Sequence, residues 1–183
     1  MSEAHIVRHC APPLAGLKTG NIFSCPFETK EDLLNSIRQL NRRLRGKGLR
    51  ILPLRFSEKR ALIYLYRPNM LAADLADDAA AQILQNCGYC TGQCEKCLVQ
   101  LAQKLRSREE FPHEIGLFLG YPPEDVQGFI ENKACGCKCV GCWKVYGDEA
   151  AAKKKFAQYK KCTSVYWDQW AKGKAIERLT VAG

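Results

Sequence analysis

Leu49-Arg50-Ile51-Leu52-Pro53-Leu54-Arg55-Phe56-Ser57-Glu58-Lys59-Arg60-Ala61-Leu62-Ile63-Tyr64-Leu65-Tyr66 decides the fold class. Two β-rich runs, 49–56 and 61–66, flank the polar turn Ser57-Glu58-Lys59-Arg60. Short apolar runs joined by a few turn residues predict a β-hairpin. Immediately upstream the pattern is helical. Leu33, Ile37, Leu40 and Leu44 share one stripe of a helix that opens at Thr29, with Asp32 completing a capping pattern, and stops at Gly46 and Gly48.

Downstream, the Ala- and Leu-rich stretch Asn69 to Asn86 predicts two short helices meeting near Asp77, the second ended by Gly88. Lys96 to Glu109 carries Leu98, Leu101 and Leu105 on one side. Pro112 to Leu119 and Pro123 to Glu131 each place proline in a first helical turn. Trp143 to Tyr146 is a short strand candidate, and Asp148 caps a helix reaching about Lys161. An aromatic helix around Tyr166 to Trp170 and a strand over Ile176 to Val181 complete the chain. An antiparallel hairpin with short strands among helices predicts an α+β fold, a small sheet packed with several helices. No linker, repeat or low-complexity segment interrupts residues 1–183, so a single domain is expected.

The 183 residues suffice for a sizeable core. No apolar run approaches the ~20 residues of a membrane span. Met1-Ser2-Glu3-Ala4-His5 lacks the basic head of a signal peptide, so a cytoplasmic location with no membrane partner is expected. The formal charge of +9 is concentrated at Arg42, Arg43, Arg45, Lys47 and Arg50 and at Lys153 to Lys155 with Lys160 and Lys161. Such runs attract phosphate, but two solvated helix surfaces are the leading explanation.

Eleven cysteines stand out. In a reducing compartment clustered thiols point to metal or redox chemistry. Cys87, Cys90, Cys94 and Cys97 form C-x2-C-x3-C-x2-C, and Cys135, Cys137, Cys139 and Cys142 form C-x-C-x-C-x2-C. Thiolates this close can converge on one metal across a single chain reversal. Cys94 and Cys97 open a helix, whose positive end favours thiolate. A zinc ribbon separates its knuckles by ~15–20 residues. Here only Thr91, Gly92 and Gln93 intervene, so an iron–sulfur cluster is favoured over zinc, with metal-free thiols the remaining alternative.

Four stretches together resemble a known family: His9-Cys10-Ala11-Pro12-Pro13-Leu14-Ala15-Gly16-Leu17-Lys18, Arg60 to Arg67, Phe111-Pro112-His113-Glu114-Ile115-Gly116-Leu117-Phe118-Leu119-Gly120-Tyr121-Pro122, and Trp143-Lys144-Val145-Tyr146. The chain resembles the uncharacterised bacterial family of domain of unknown function 3793, common in anaerobic Gram-positive bacteria, over nearly its whole length. The family carries no established activity, so the resemblance transfers no catalytic residue. Its members tend to be encoded near iron-uptake and flavodoxin genes, which implies an iron or redox role and a redox partner such as a flavodoxin. Relative to the family pattern, Pro13 stands where threonine is common and the segment 87–97 is richer in cysteine, which would make the first run an addition.

Two other function classes compete. Arg8-His9-Cys10 with Lys18 reads as an enzyme site in which nearby cations activate Cys10 as a nucleophile, although no partner orients His9. The bland reading, a packed thiol beside a surface histidine, leads. Residues 114–130 have helix-turn-helix spacing. Glu124 and Asp125 would face phosphate there, and Gly128 weakens the second helix by ~1 kcal/mol, so nucleic-acid binding ranks last. His113 and Glu114 in a first helical turn, and Arg55, Arg60 and Arg67 around the hairpin, are candidate ligand-binding residues. Trp143, Trp167 and Trp170 are expected in the core or on a partner face.

Overall fold

The computed structural model describes every residue except 108–110. Its contacts gather into two compact units, residues Met1–Met70 with Tyr159–Gly183, and residues Leu71–Gln158. Both boundaries fall inside helices, α3 (Pro68–Ala76) and α8 (Glu149–Ala171), which is why no linker composition marks them in a chain read as one domain.

In the first unit the predicted hairpin forms as β2 (Arg50–Phe56) and β3 (Arg60–Tyr66), and β1 (Gly20–Pro26) adds to its other side in the order β1-β3-β2, antiparallel throughout. Ile22 pairs with Tyr64 and Ile51 with Leu65. The register shifts between Pro53 and Arg55. Proline donates no ladder hydrogen bond, so it fits an edge strand at an irregularity. Period-two alternation turns Phe23, Cys25, Ile51, Ala61, Ile63 and Leu65 into one core. Helix α2 (Lys30–Leu44) covers that core with Leu33, Ile37, Leu40 and Leu44, and is capped by Thr29, whose hydroxyl accepts from the Asp32 N–H at 3.1 Å.

Helix α1 (Glu3–Leu14) supplies Ile6, Val7, Cys10 and Leu14 to the same core. Neither α1 nor β1 was signalled in the sequence. Pro12 and Pro13 argue against a helix, since each lacks an N–H and its ring crowds the carbonyl four residues back. The structure meets that clash with a kink at Cys10, φ −127° and ψ 19°. The strand expected over Ile176 to Val181 is instead a helical turn, α9 (Ile176–Leu179), followed by extended Thr180. The buried pair Ile176 and Leu179 is spaced by three, which suits a helix; strand alternation would have turned Ile176, Arg178 and Thr180 to one side.

The second unit is helical, with α4 (Asp78–Asn86), α5 (Cys94–Ser107), α6 (Ile115–Phe118) and α7 (Pro123–Glu131). The predicted end of α5 at Glu109 lies outside the described residues. The strand expected near Trp143 to Tyr146 is β5 (Lys144–Val145), which pairs only with β4 (Cys139–Val140), Cys139 opposite Val145. The helices expected around 149–161 and 166–170 are one helix, α8. Thr163 does not break it because its hydroxyl donates back to the Tyr159 carbonyl at 2.9 Å. Among the described residues no helix is long and apolar enough to cross a membrane.

Candidate functional site

The first cysteine run is built at the junction of two helices. Cys87 caps α4, its N–H donating to Ile83 O at 3.0 Å, and Gly88 takes φ +80°, a left-handed cap that glycine adopts without a Cβ penalty. Tyr89 N donates back to Leu84 O at 2.9 Å. Cys94 and Cys97 then occupy the first turn of α5. Cys90 folds over them: the Cys97 thiol donates to Cys90 O at 3.4 Å, and Cys90 N donates to Gln100 Oε1 at 2.9 Å. Burial pushes the Cys94 thiol up to about 11, with Glu95 and Cys97 adding to the rise. Burial and then Cys90 raise Cys97 likewise. Desolvation and like charge therefore outweigh the helix dipole expected to favour thiolate here.

Beneath this run lies a buried polar group. Lys104 Nζ and the Tyr89 hydroxyl both donate to Glu114 Oε1 at 3.1 Å, and Lys104 also donates to the Cys87 carbonyl. Lys104 Nζ stands 4.1 Å from the Tyr89 ring centroid. Burial first, then Glu114, pushes the Tyr89 pKa far up. Glu114, a candidate ligand-binding residue, is thus an internal partner, while His113 is exposed and packs edge-on to Phe129 at 4.9 Å.

The second run follows α7. Lys133 (φ 48°), Ala134 (φ 67°) and Gly136 (φ 67°) all have left-handed backbones. For Lys133 and Ala134 that conformation costs roughly 1–2 kcal/mol each. Lysines hold the strained loop: Lys144 Nζ donates to Ala134 O and Lys138 Nζ to Gly147 O, both at 2.7 Å. Asp125 is 3% exposed and accepts from Trp143 Nε1 at 2.6 Å and from the Tyr146 and Gly147 N–H groups at 2.7 Å each. The carboxylate expected to repel phosphate therefore faces inward and pins β5 to α7. Mid-helix Gly128 has a reason too, because a Cβ there would lie 2.5 Å from the Tyr146 ring. The Tyr146 hydroxyl is buried and has no hydrogen-bond partner among the described residues. Burial raises its pKa, and the nearby Cys137 and Cys135 sulfurs push the same way.

Cys135 and Cys142 are exposed, Cys137 and Cys139 half-buried. Among the described residues, no group of three or more His, Cys, Asp or Glu side chains is placed to hold a metal ion. Spacing brought the thiols into two neighbourhoods without closing either into a coordination sphere.

The other candidates lie in the first unit and are not gathered. Cys10 is fully buried, and desolvation pushes its thiol far above the ordinary range despite Lys18, whose positive charge acts in the opposite sense. His9 is exposed, its ring stacked on Phe23 at 5.5 Å, whereas the neighbouring Cys10 thiol is enclosed in the core. Lys18 is 5% exposed and donates to Asn21, which donates in turn to the His9 carbonyl. Arg67 is a buried clamp: Nε donates to Pro13 O at 2.6 Å and Nη2 to Leu14 O at 2.9 Å and Val181 O at 2.7 Å. Arg60 donates to Ser24 Oγ at 2.7 Å, and Arg55 sits beside the irregularity of β2. Arg60 and Arg67 stand at opposite ends of β3, roughly 20 Å apart at strand rise, too far to share one anion. Trp143 is buried, and Trp167 and Trp170 pack against the first unit's core.

The supporting roles of Asp125, Tyr146 and Lys104 escaped the sequence reading; Gly128, read there as a weak point of its helix, was the local signal that could have shown another group approaching closely. Searches among curated proteins and among solved structures gave no match. The family model described as "Protein of unknown function (DUF3793)" matches residues 6–180, and the chain belongs to that family.

Proposed function

We propose that this protein binds metal through the two cysteine runs, Cys87–Cys97 and Cys135–Cys142, with an iron–sulfur cluster favoured over zinc, and serves redox or iron homeostasis in the cytoplasm. One observation carries the reading. All eight cysteines of the two runs fall in the unit 71–158, and seven of those eight keep some solvent access, whereas the three outside the runs are buried. Buried thiols are ordinary small core residues; accessible, clustered thiols are ligands or redox groups. The sulfurs as placed do not close on a metal, so binding must draw together Cys87 and Cys90 with the first turn of α5 in one run, and the loop before β4 with the β4–β5 hairpin in the other. Among the described residues the buried Tyr146 hydroxyl has no partner, it stands near Cys135 and Cys137, and a metal-bound thiolate would accept its hydrogen bond. The redox role and a flavodoxin-like partner follow from the family resemblance.

Anaerobic expression followed by metal and acid-labile sulfide measurement per chain, with the visible spectrum, tests the reading. Iron with matching sulfide and a brown colour is the expected result. Zinc alone would make the runs structural, with unfolding on chelation. A colourless, metal-free and stably folded protein would overturn the proposal.

A further inference from the structure

The unit 71–158 holds a cavity of about 290 Å³ among α6, α7 and the β4–β5 hairpin. Its walls are aromatic, with Tyr121 stacked on Trp143 at 4.7 Å and Phe129 and Phe111 also lining it. Phe111 is 44% and Val140 68% exposed, so apolar side chains open to water at this cavity. A concave, mostly apolar site with a few polar groups is how small-molecule sites are built, and this one is at the small end of their ~300–1,000 Å³ range.

Three polar side chains decide the ligand class. The Asp125 carboxylate accepts from the Trp143, Tyr146 and Gly147 N–H groups, which fixes the Trp143 indole and commits three of its roughly four acceptor sites to the protein. Lys144 and His113 both flank Phe129, with Nζ 5.9 Å and the imidazole 4.9 Å from its ring centroid. An ammonium carries three donors, and Lys144 uses one of them, on Ala134 O. The His113 carbonyl accepts from the Gly116 N–H at 3.4 Å, but its imidazole makes no hydrogen bond among the described residues. Two basic groups with donors to spare therefore stand beside an aromatic wall on which Asp125, engaged by three N–H groups, is the one carboxylate among the described lining residues.

We propose that this cavity binds a small planar aromatic acid, its ring against Phe129 and Trp143 and its carboxylate at Lys144 and His113. The cavity is too small for a folded peptide segment, and the basic pair selects an acid over a neutral arene. The inference uses no cysteine side chain, and its test is run on the metal-free protein, because Val140 and Gly141 of the cavity wall lie between the proposed ligands Cys139 and Cys142.

Titrating the full-length protein with 2-naphthoate, by calorimetry and by tryptophan fluorescence, tests it. Saturable binding to one site is expected, weaker by about tenfold or more for neutral 2-methylnaphthalene and for Lys144→Gln, the range of a charge-assisted hydrogen bond. Val140→Asp changes a 68% exposed rim residue without touching the core, and it should weaken the acid similarly by opposing its charge and pairing with Lys144. Val140→Thr should bind as the wild type does. Absence of saturation at millimolar 2-naphthoate, equal affinity for the neutral arene, or wild-type affinity in Val140→Asp would each overturn the proposal.

Discussion

The two units of this chain treat the same residue in opposite ways. In the first, Cys10, Cys25 and Cys162 are buried, and desolvation raises all three thiols, Cys162 to about 11. There the sulfur is a compact apolar group filling space beside Ile6, Leu14 and Phe23. In the second unit, eight cysteines crowd into two short segments, three of them exposed and four half-buried. The contrast separates cysteine as packing material from cysteine as chemistry, and burial, not sequence neighbours, draws the line. His9 beside Cys10 looks reactive on paper, yet the sulfur has no access to solvent.

The largest effect should come from the polar group under the first run. Replacing Glu114 by Ala leaves the largely covered Lys104 ammonium without its anion and the Tyr89 hydroxyl without its acceptor, and unfolding in denaturant should show a loss of roughly 3 kcal/mol. The paired change Lys104→Met with Glu114→Leu should recover most of that. If the single variant were as stable as wild type, the second unit's scaffold would not depend on this ion pair.

Cys10→Ser sharpens the comparison from the other side. It places a hydroxyl in a fully buried apolar site and should cost roughly 1–3 kcal/mol. Cys90→Ser, Cys135→Ser and Cys142→Ser, all exposed, should change metal-free stability by less than about 0.5 kcal/mol. Equal costs at buried and exposed positions would break the distinction between the units.

Alkaline pH offers a graded test. The Cys162 thiol ionises near 11 in the folded chain and near the ordinary 9.0 when unfolded, so its protonated form stabilises the fold at and below pH 9. As pH rises from 9 to 11 the unfolded state loses its proton first, and stability should fall by on the order of 1 kcal/mol from this group. Cys162→Ala should flatten that stretch of the pH–stability curve. The smallest effect concerns Tyr146→Phe, which removes a buried hydroxyl with no partner among the described residues. The metal-free melting temperature should stay level or rise, because no hydrogen bond is lost. A clear fall would mean that the hydroxyl is bonded in solution.

Much of the fold was legible in the residues. The β2–β3 hairpin, the stripe of α2, the meeting of α3 and α4 at Asp77 and the start of α7 at Pro123 all follow from patterns a few residues long. α1 was hidden by Pro12 and Pro13, and α9 passed for a strand because four residues give periodicity little to act on. The candidate site was legible only as a list of thiols. Its supporting groups are joined across 10 residues for Lys104 and Glu114, 18 for Trp143 and Asp125, and 21 for Tyr146 and Asp125, beyond any local pattern.

By itself, then, the sequence determined the element types, the α+β class, the family and the grouping of eight cysteines in two runs, since each rests on residues that are neighbours along the chain. Only the tertiary structure decided that Cys10 is buried, that Arg67 clamps carbonyls of α1 and the C-terminal tail, that Asp125 and Glu114 face inward, and that aromatic walls enclose a cavity beside Lys144. The reason is physical: desolvation and hydrogen-bond partnership are set by whatever the fold packs against a group, and those neighbours come from distant parts of the chain.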